Sequence, residues 1–246
     1  MKQGKLLLIP NLLGETKIEE NLPSSIKQTL ESTNIYIVEN VRSARRFIKK
    51  VLPEKNIDNT IFFSYGKHDS LDLEKDFLLN ILAGEDIGLI SEAGVPAVAD
   101  PGSKIIEYAH QFKVVVKPLV GPSSILMALM SSGMNGQNFA FNGYLPIDQK
   151  ERIKKIRELE KISQNRNQTQ IFMETPYRNN KLYETLKKTC NHNTKLCIAS
   201  NITEEHESII NKTIGEWKNI RLDLNKKPTI FSVSYTHLRA HETRNN

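Results

Sequence analysis

The sequence predicts an α/β fold organised as two domains, and two observations carry that expectation. Apolar runs of strand length alternate with amphipathic helical segments from Lys5 to Val116, the pattern of a largely parallel sheet with helical crossovers. The alternation then changes character at the polar, turn-rich Met134-Asn135-Gly136-Gln137-Asn138, and new strand and helix segments follow to Thr229-Ile230-Phe231. A second α/β domain is therefore expected after a linker region. At 246 residues the chain can bury two cores, with expected bounds of 1–118 and 119–232.

In order, Lys5-Leu6-Leu7-Leu8-Ile9 reads as the first buried strand, ending in the loop Pro10–Glu15. Pro23 to Glu31 is a helix, with Pro23 near its first position and Ser24 or Ser25 near its cap. Ile35–Val38 is a second strand. It leads into a helix that turns Val41, Ala44, Phe47, Ile48 and Val51 inward. Ile61–Phe63 is a third strand and Leu71–Leu82 a helix, closed by Gly84 just past its end. Ile87–Ile90 is a fourth strand, and Ile105, Ile106 and Ala109 mark one face of the next helix. Lys113–Val116 is expected as a fifth strand, before a compact loop at Leu119–Ser124 and a helix at Ser124–Met130. In the second half, Phe139–Phe141, Gln168–Met173, Leu196–Ala199 and Thr229–Phe231 read as strands. Lys150–Ser163 is a basic helix with Ile153, Ile156, Leu159 and Ile162 on one face. A further helix runs to Cys190, Ile202–Ile210 is an acidic loop or short strand, and Ile214–Trp217 is a short helix.

Composition bounds the function. A hydrophobic content of 39% and a charged content of 25% suit a globular protein. The net charge of +6 and pI near 9.1 admit a nucleic-acid partner without demanding one; a Lys-rich solvated surface accounts for them equally well. The two cysteines, Cys190 and Cys197, form no Cys-x-x-Cys, so neither a zinc nor a redox site is expected, and both read as reduced core thiols of a cytoplasmic protein. The one N-terminal apolar run, Leu6–Ile9, is too short for a signal segment or a membrane span. Val233–Thr243 resembles a translated sequencing-library adapter, so 233–246 is set aside as a non-native tail. His237 and His241, four apart beside Glu242, are then no metal motif, no metal is expected, and the last native strand is expected to have lost its end.

The segment with the densest chemistry follows the fourth strand. Ser91-Glu92-Ala93-Gly94-Val95-Pro96-Ala97-Val98-Ala99-Asp100-Pro101-Gly102 packs glycines, prolines and two carboxylates between a buried strand and a helix. In α/β domains such a loop, at the carboxyl end of a sheet strand, builds a ligand site. Taken alone, plain turn geometry accounts for it as well.

Four segments in order carry a resemblance. The loop from Gly88 to Gly102 looks like an S-D-A-G-x-P-x-x-x-D-P-G motif. Val120-Gly121-Pro122-Ser123-Ser124 resembles a P-G-P-S-A loop, Phe139–Pro146 resembles F-x-F-x-G-F-L-P, and Phe172–Arg178 resembles F-Y-E-S-P-H-R. These belong to the ribosomal RNA small subunit methyltransferase I group of the tetrapyrrole methylase superfamily, and the resemblance spans Leu6 to about Phe231. It implies two α/β domains of the tetrapyrrole methylase type with a cofactor cleft between them, a homodimer, S-adenosyl-L-methionine as cofactor, and 2′-O-methylation of a ribose in small-subunit ribosomal RNA. The residues it marks for the cofactor are Ser91, Glu92, Ala93, Gly94, Val95, Pro96, Gly121, Pro122, Ser123, Ser124 and Met173. Glu39 and Arg42 match the first and last charged residues of the group's A-E-D-T-R motif and are the catalytic candidates. Asn40 and Val41 stand where the group has Asp and Thr. Arg45, Glu174 and Arg178 are the substrate candidates. Arg42, Arg45 and Arg46 either meet phosphates or form a solvated helix face, and Glu174 with Arg178 either shapes the site or makes a structural ion pair. Glu92 replaces the motif's Asp, reaching one methylene further. A methylase of a tetrapyrrole or other small molecule, and a non-catalytic RNA-binding protein on the same fold, remain the alternatives.

Overall fold

The computed structural model describes residues 3–66 and 71–235. The chain divides into two compact units, Met1–Ser123 and Ser124–Asn246.

The first unit is a five-stranded, wholly parallel sheet. Its strands are β1 (Lys5–Ile9), β2 (Ile35–Val38), β3 (Ile61–Ser64), β4 (Ile87–Ile90) and β5 (Val115–Pro118), in the order β3-β2-β4-β1-β5. Period-two alternation sorts their side chains between two cores. Leu7, Ile9, Tyr36 and Val38 face one side, with Leu30 of α2 (Ser24–Ser32) and Phe47 and Ile48 of α3 (Val41–Val51). Leu6, Ile35, Ile37, Ile87 and Leu89 face the other, with Ile105 and Ala109 of α5 (Ser103–Gln111). Gly88 keeps the first face open: a Cβ there would stand 2.7 Å from the Tyr36 ring and 2.8 Å from Ile9. A short α1 (Ile18–Asn21) precedes α2.

Three expectations are corrected in this unit. Pro23 is the residue before α2, with φ −62° and ψ 151°, rather than its first helical residue. The expected helix at Leu71–Leu82 begins as a π-helical turn, Leu73–Leu78, and only then becomes α4 (Leu79–Leu82). The fifth strand starts two residues late because Lys113 and Val114 close α5. Lys113 takes φ 55°, its N–H meets the His110 carbonyl, and the Val114 N–H reaches back to Ala109. That is a Schellman closure with lysine in the place glycine usually fills. Gly84 takes its expected place past α4, at φ 97°.

The second unit holds a five-stranded mixed sheet, β6 (Phe139–Tyr144), β7 (Thr169–Met173), β8 (Lys195–Ser200), β9 (Ser208–Thr213) and β10 (Thr229–Ser234), ordered β6-β7-β10-β8-β9. Only β6 and β7 run parallel among the described strands; β10, β8 and β9 follow antiparallel. The helices are α6 (Ser124–Ser132), α7 (Gln149–Arg166), α8 (Asn179–Thr189) and α9 (Ile214–Trp217). Trp217, fully buried, anchors the core; its Nε1–H donates to the Leu196 carbonyl at 2.8 Å.

Here too the structure differs from expectation. Met134–Asn138 is no linker. The Asn135 and Asn138 side chains donate to the Asn167 and Arg166 carbonyls at 2.7 and 2.8 Å, tying this turn to the end of α7 inside the unit. The buried face of α7 is Arg152, Ile156, Leu159 and Ser163, so Ile153 and Ile162 are only half-buried. Arg152 turns in because its guanidinium donates to the Ile147 carbonyl at 3.0 Å, and Ser163 because its Oγ accepts from the Tyr235 N–H. The last strand runs through Val233 and Ser234, two residues past the expected end of the native chain. Val233 is the next inward residue after Phe231 and belongs to the same core. His237, His241 and Glu242 lie outside the described residues.

Candidate functional site

The parallel sheet of the first unit ends all five strands at one edge. The loop after β1 and the loop after β4 are laced together there. The Asn11 Nδ2 donates to the carbonyls of Ser91 and Glu92 at 3.0 and 3.1 Å, and the Asn11 N–H donates to the Gly94 carbonyl at 2.8 Å. The Ser91 hydroxyl also donates to the Gly94 carbonyl, at 3.1 Å. Ser91, Gly94 and Pro96 are buried beneath this lacing, while Glu92 and Ala93 are exposed and Val95 is half-buried.

Two glycines make the lacing possible. Gly94 sits at φ 66°, with a Cβ position 3.0 Å from Leu13 and 3.2 Å from the Pro122 carbonyl. A Cβ on Gly121 would stand 2.3 Å from the Pro10 ring. The loops after β1, β4 and β5 thus meet at these glycines, and Gly121 and Pro122, followed by Ser123, form a cradle with Ser91–Pro96. Ala97 and Ala99 also take positive φ, 62° and 64°. Non-glycine residues held this way store strain, which concentrates at functional loops.

The edge is acidic. Glu39 directly follows β2, and its carboxyl is pushed above its ordinary value by burial first, then by the negative charges of Asp100 and Glu92. Asp100 is raised by burial and by Glu92. The Glu39 Oε1 is enclosed and has no hydrogen-bond partner. A desolvated carboxylate with an idle oxygen can accept a proton or face a cation. Among the described residues no His, Cys, Asp and Glu group has the geometry of a metal site.

Asn40 has a structural assignment: its Oδ1 accepts the Ser43 N–H at 3.1 Å, capping α3. Arg42, Arg45 and Arg46 are exposed along that helix, and Arg45 lies over the Phe62 ring, 5.3 Å from its centre.

Met173, Glu174 and Arg178 belong to the second unit, at the carboxyl end of β7, and Ser124 begins α6. Glu174 is buried, and its Oε1 accepts from the Arg178 guanidinium at 2.6 Å and from the Thr175 N–H at 2.7 Å. The pair holds the Arg178 proton tightly, and the Arg178 side chain stays half-exposed while its Nε is enclosed without a partner.

Sequence reasoning named Asp100 only as part of a motif and missed Asn11 altogether. Its place directly after β1 was visible, but its partners lie 80 and 81 residues away.

Residues 78–218 match the family model described as Tetrapyrrole (Corrin/Porphyrin) Methylases. The chain is similar to "Ribosomal RNA small subunit methyltransferase I" of Bacillus subtilis (strain 168), at 30% identity over 221 residues, 88% of this chain and 70% of that protein. The proteins of the same name from Vibrio cholerae serotype O1 and Thermotoga maritima are 29% and 26% identical, covering 86% and 87% of this chain and 69% and 90% of theirs. Among solved structures it resembles the methyltransferase CobJ, with a TM-score of 0.62 at 13% identity and 95% of both chains covered. It also resembles the cobalt precorrin-4 methyltransferase CbiF, with a TM-score of 0.58 at 13% identity and 94% of both chains covered.

Proposed function

The chain belongs to the tetrapyrrole (corrin/porphyrin) methylase family, and we propose that it is an S-adenosyl-L-methionine-dependent methyltransferase that 2′-O-methylates a ribose in small-subunit ribosomal RNA. The observation that carries the reading is the loop edge of Ser91–Pro96 and Gly121–Ser123, held in place by the close approaches of Gly94 to Leu13 and Pro122 and of Gly121 to Pro10. A rigid loop edge at the carboxyl ends of parallel strands suits a ligand site. The RNA substrate is supported by the names of the relatives.

Bound there, the cofactor supplies an electrophilic methyl group on a sulfonium. The chain's own residues have three tasks. The backbone of Ser91–Pro96 and Gly121–Ser123 binds and orients, which is the larger part of catalysis in an in-line displacement. Glu39, Glu92 and Asp100 make surroundings that favour a cation. Glu39, whose carboxyl is raised above its ordinary value by burial and by the charges of Asp100 and Glu92, takes up the proton of the attacking hydroxyl. Arg42 and Arg45 meet phosphates from α3, and Arg178 does so from its ion pair with Glu174.

The protein is proposed to work in the cytoplasm as a homodimer. Exposed Leu126 and Met130, one turn apart on α6, support an apolar contact between copies. No helix among the described residues is long and apolar enough to cross a membrane.

The test is transfer of tritium from labelled cofactor to small ribosomal subunits lacking the modification. Label in a ribose of the RNA is the expected result. A folded protein that shows no saturable cofactor binding by titration calorimetry overturns the proposal, and one that binds cofactor but labels only a small-molecule acceptor overturns its RNA part.

A further inference from the structure

We infer that the carboxyl end of the β6–β7 pair is a stacking surface for single-stranded RNA, formed by Tyr144 and Tyr177 with Arg178 and Lys226 beside them. The inference rests on the RNA reading above and adds the surface that would grip the strand.

Two large aromatic side chains stand in solvent at one edge of this sheet. Tyr144 is 58% exposed and Tyr177 is 74% exposed. Neither position follows from plain strand or loop geometry. Tyr144 ends β6 after an irregularity in its pairing with β7, where Gly143 takes φ 63° and Tyr144 comes level with Met173. The Asn142 side chain pins that irregularity, with its Nδ2 near the Gln170 Oε1 at 3.1 Å and the Ile171 carbonyl at 3.2 Å. Tyr177 is held outward by a tight turn: the Arg178 N–H donates to the Thr175 carbonyl at 2.8 Å, and the Lys226 N–H donates to the Pro176 carbonyl at 3.1 Å. Fixed backbone under exposed rings makes a platform whose ordering cost is met on folding, before a partner arrives.

The charge beside the rings has the sign a nucleic acid needs. Arg178 is locked by Glu174 in the turn that follows β7, the strand on which Met173 stands level with Tyr144. Lys226 is exposed on the loop that Pro176 anchors. The nearby carboxylates are engaged: Glu174 with Arg178 and Thr175, and Asp223 with the Asn180 side chain and the Asn225 N–H. Exposed rings interleaved with fixed cations are how proteins hold unpaired bases, which stack on any aromatic face.

The experiment uses the full chain and a fluorescent mixed-sequence RNA oligonucleotide, followed by anisotropy. Tyr144→Ala and Tyr177→Ala should each weaken binding by about 10-fold, within the range of base stacking, while Tyr→Phe at either position should bind like the wild type. Lys226→Gln should lower the salt slope by about 0.7, one phosphate contact on a single strand. Cofactor titration and melting temperature should not change in the tyrosine variants. Wild-type affinity in both alanine variants, or equal losses in the phenylalanine ones, overturns the surface. A surface that instead holds uroporphyrin, with tyrosine-dependent changes in its absorbance and no grip on RNA, also overturns it. Cofactor binding without RNA binding removes the surface and spares the methyltransferase reading. Tyrosine-dependent RNA binding without cofactor binding does the reverse.

Discussion

Replacing Gly94 by alanine tests the cradle most directly. Two costs add at this position. At φ 66° an L side chain meets the following carbonyl, a penalty of about 1–2 kcal/mol. The new Cβ also crowds Leu13 at 3.0 Å and the Pro122 carbonyl at 3.2 Å. Leu13 can turn aside; the carbonyl moves only with its loop. Relief by backbone movement strains the Asn11–Gly94 and Ser91–Gly94 hydrogen bonds, each worth about 0.5–1.5 kcal/mol net. The total, about 2–5 kcal/mol on these terms, divides between lost stability and a displaced loop. Differential scanning calorimetry should show a melting point lower by several degrees, at roughly 2–4 °C per kcal/mol for a chain of this size. Titration calorimetry should show S-adenosyl-L-methionine affinity at least about tenfold weaker, the equivalent of 1.4 kcal/mol. Gly94→Val, branched at Cβ, should abolish cofactor binding in a protein that still folds. Gly121→Ala should also weaken binding, through its clash with Pro10 at 2.3 Å rather than through φ. Unchanged cofactor affinity in folded Gly94→Ala and Gly94→Val proteins would refute the reasoning.

The other predictions concern charge and packing. Glu39 and Asp100 have carboxyl groups raised above their ordinary 4.5 and 3.8, so the folded protein binds these protons more tightly than the unfolded chain. Stability from this source is fully present below those values and declines as the pH rises through the raised ones. Glu39→Gln should therefore melt higher than the wild type at pH 7, with the gap closing near pH 4, while methyl transfer is lost; melting curves across that range check it. Lys55 donates to the Leu30 and Thr33 carbonyls at 2.7 and 2.6 Å, closing the end of α2. Lys55→Met should cost about 1–2 kcal/mol in denaturant unfolding. Trp217→Ala removes a fully buried indole, its bond to Leu196 and its edge contact with Tyr183, and should cost about 3–5 kcal/mol, read as an earlier denaturant midpoint.

The strands most legible in the sequence are those whose neighbours leave them no choice. Leu6–Ile9, Ile35–Val38 and Ile87–Ile90 are buried on both faces, so an apolar run alone marks them. The cradle loops were legible because they concentrate glycine and proline just after strands, although the close approaches that require Gly94 and Gly121, to Leu13 and to Pro10, come from the distant loop after β1. Features that depend on distant partners were not. Val114 reads as the start of a strand, yet its N–H belongs to the end of α5. The apolar pattern of α7 leaves Arg152 off its buried face, yet it is 2% exposed, with its Nη1 on the Ile147 carbonyl and its Nε and Nη2 enclosed without partners. Asn40 stands where the family motif has Asp, and its side chain caps α3. Asn11 and Tyr144 carry no local signature, because one acts across 80 residues and the other is turned out by an irregularity between strands.

The two candidate surfaces share a cause and differ in chemistry. A parallel pair of strands delivers both chain ends to the same edge, where successive loops can cooperate. The first sheet is parallel throughout and places Glu39, the Ser91–Gly102 loop and Gly121 along one such edge. The second sheet has a single parallel pair among its described strands, and Tyr144 and the Glu174–Arg178 turn fall at its carboxyl end. The first edge gathers carboxylates, with Glu39 and Asp100 held above their ordinary pKa values, which suits a cationic cofactor. The second engages its carboxylates in hydrogen bonds and leaves Arg178 and Lys226 beside exposed rings, which suits an anionic strand with unpaired bases. Raising salt should therefore weaken RNA binding in proportion to the phosphates met, and should leave a cofactor held mainly by backbone hydrogen bonds much less affected.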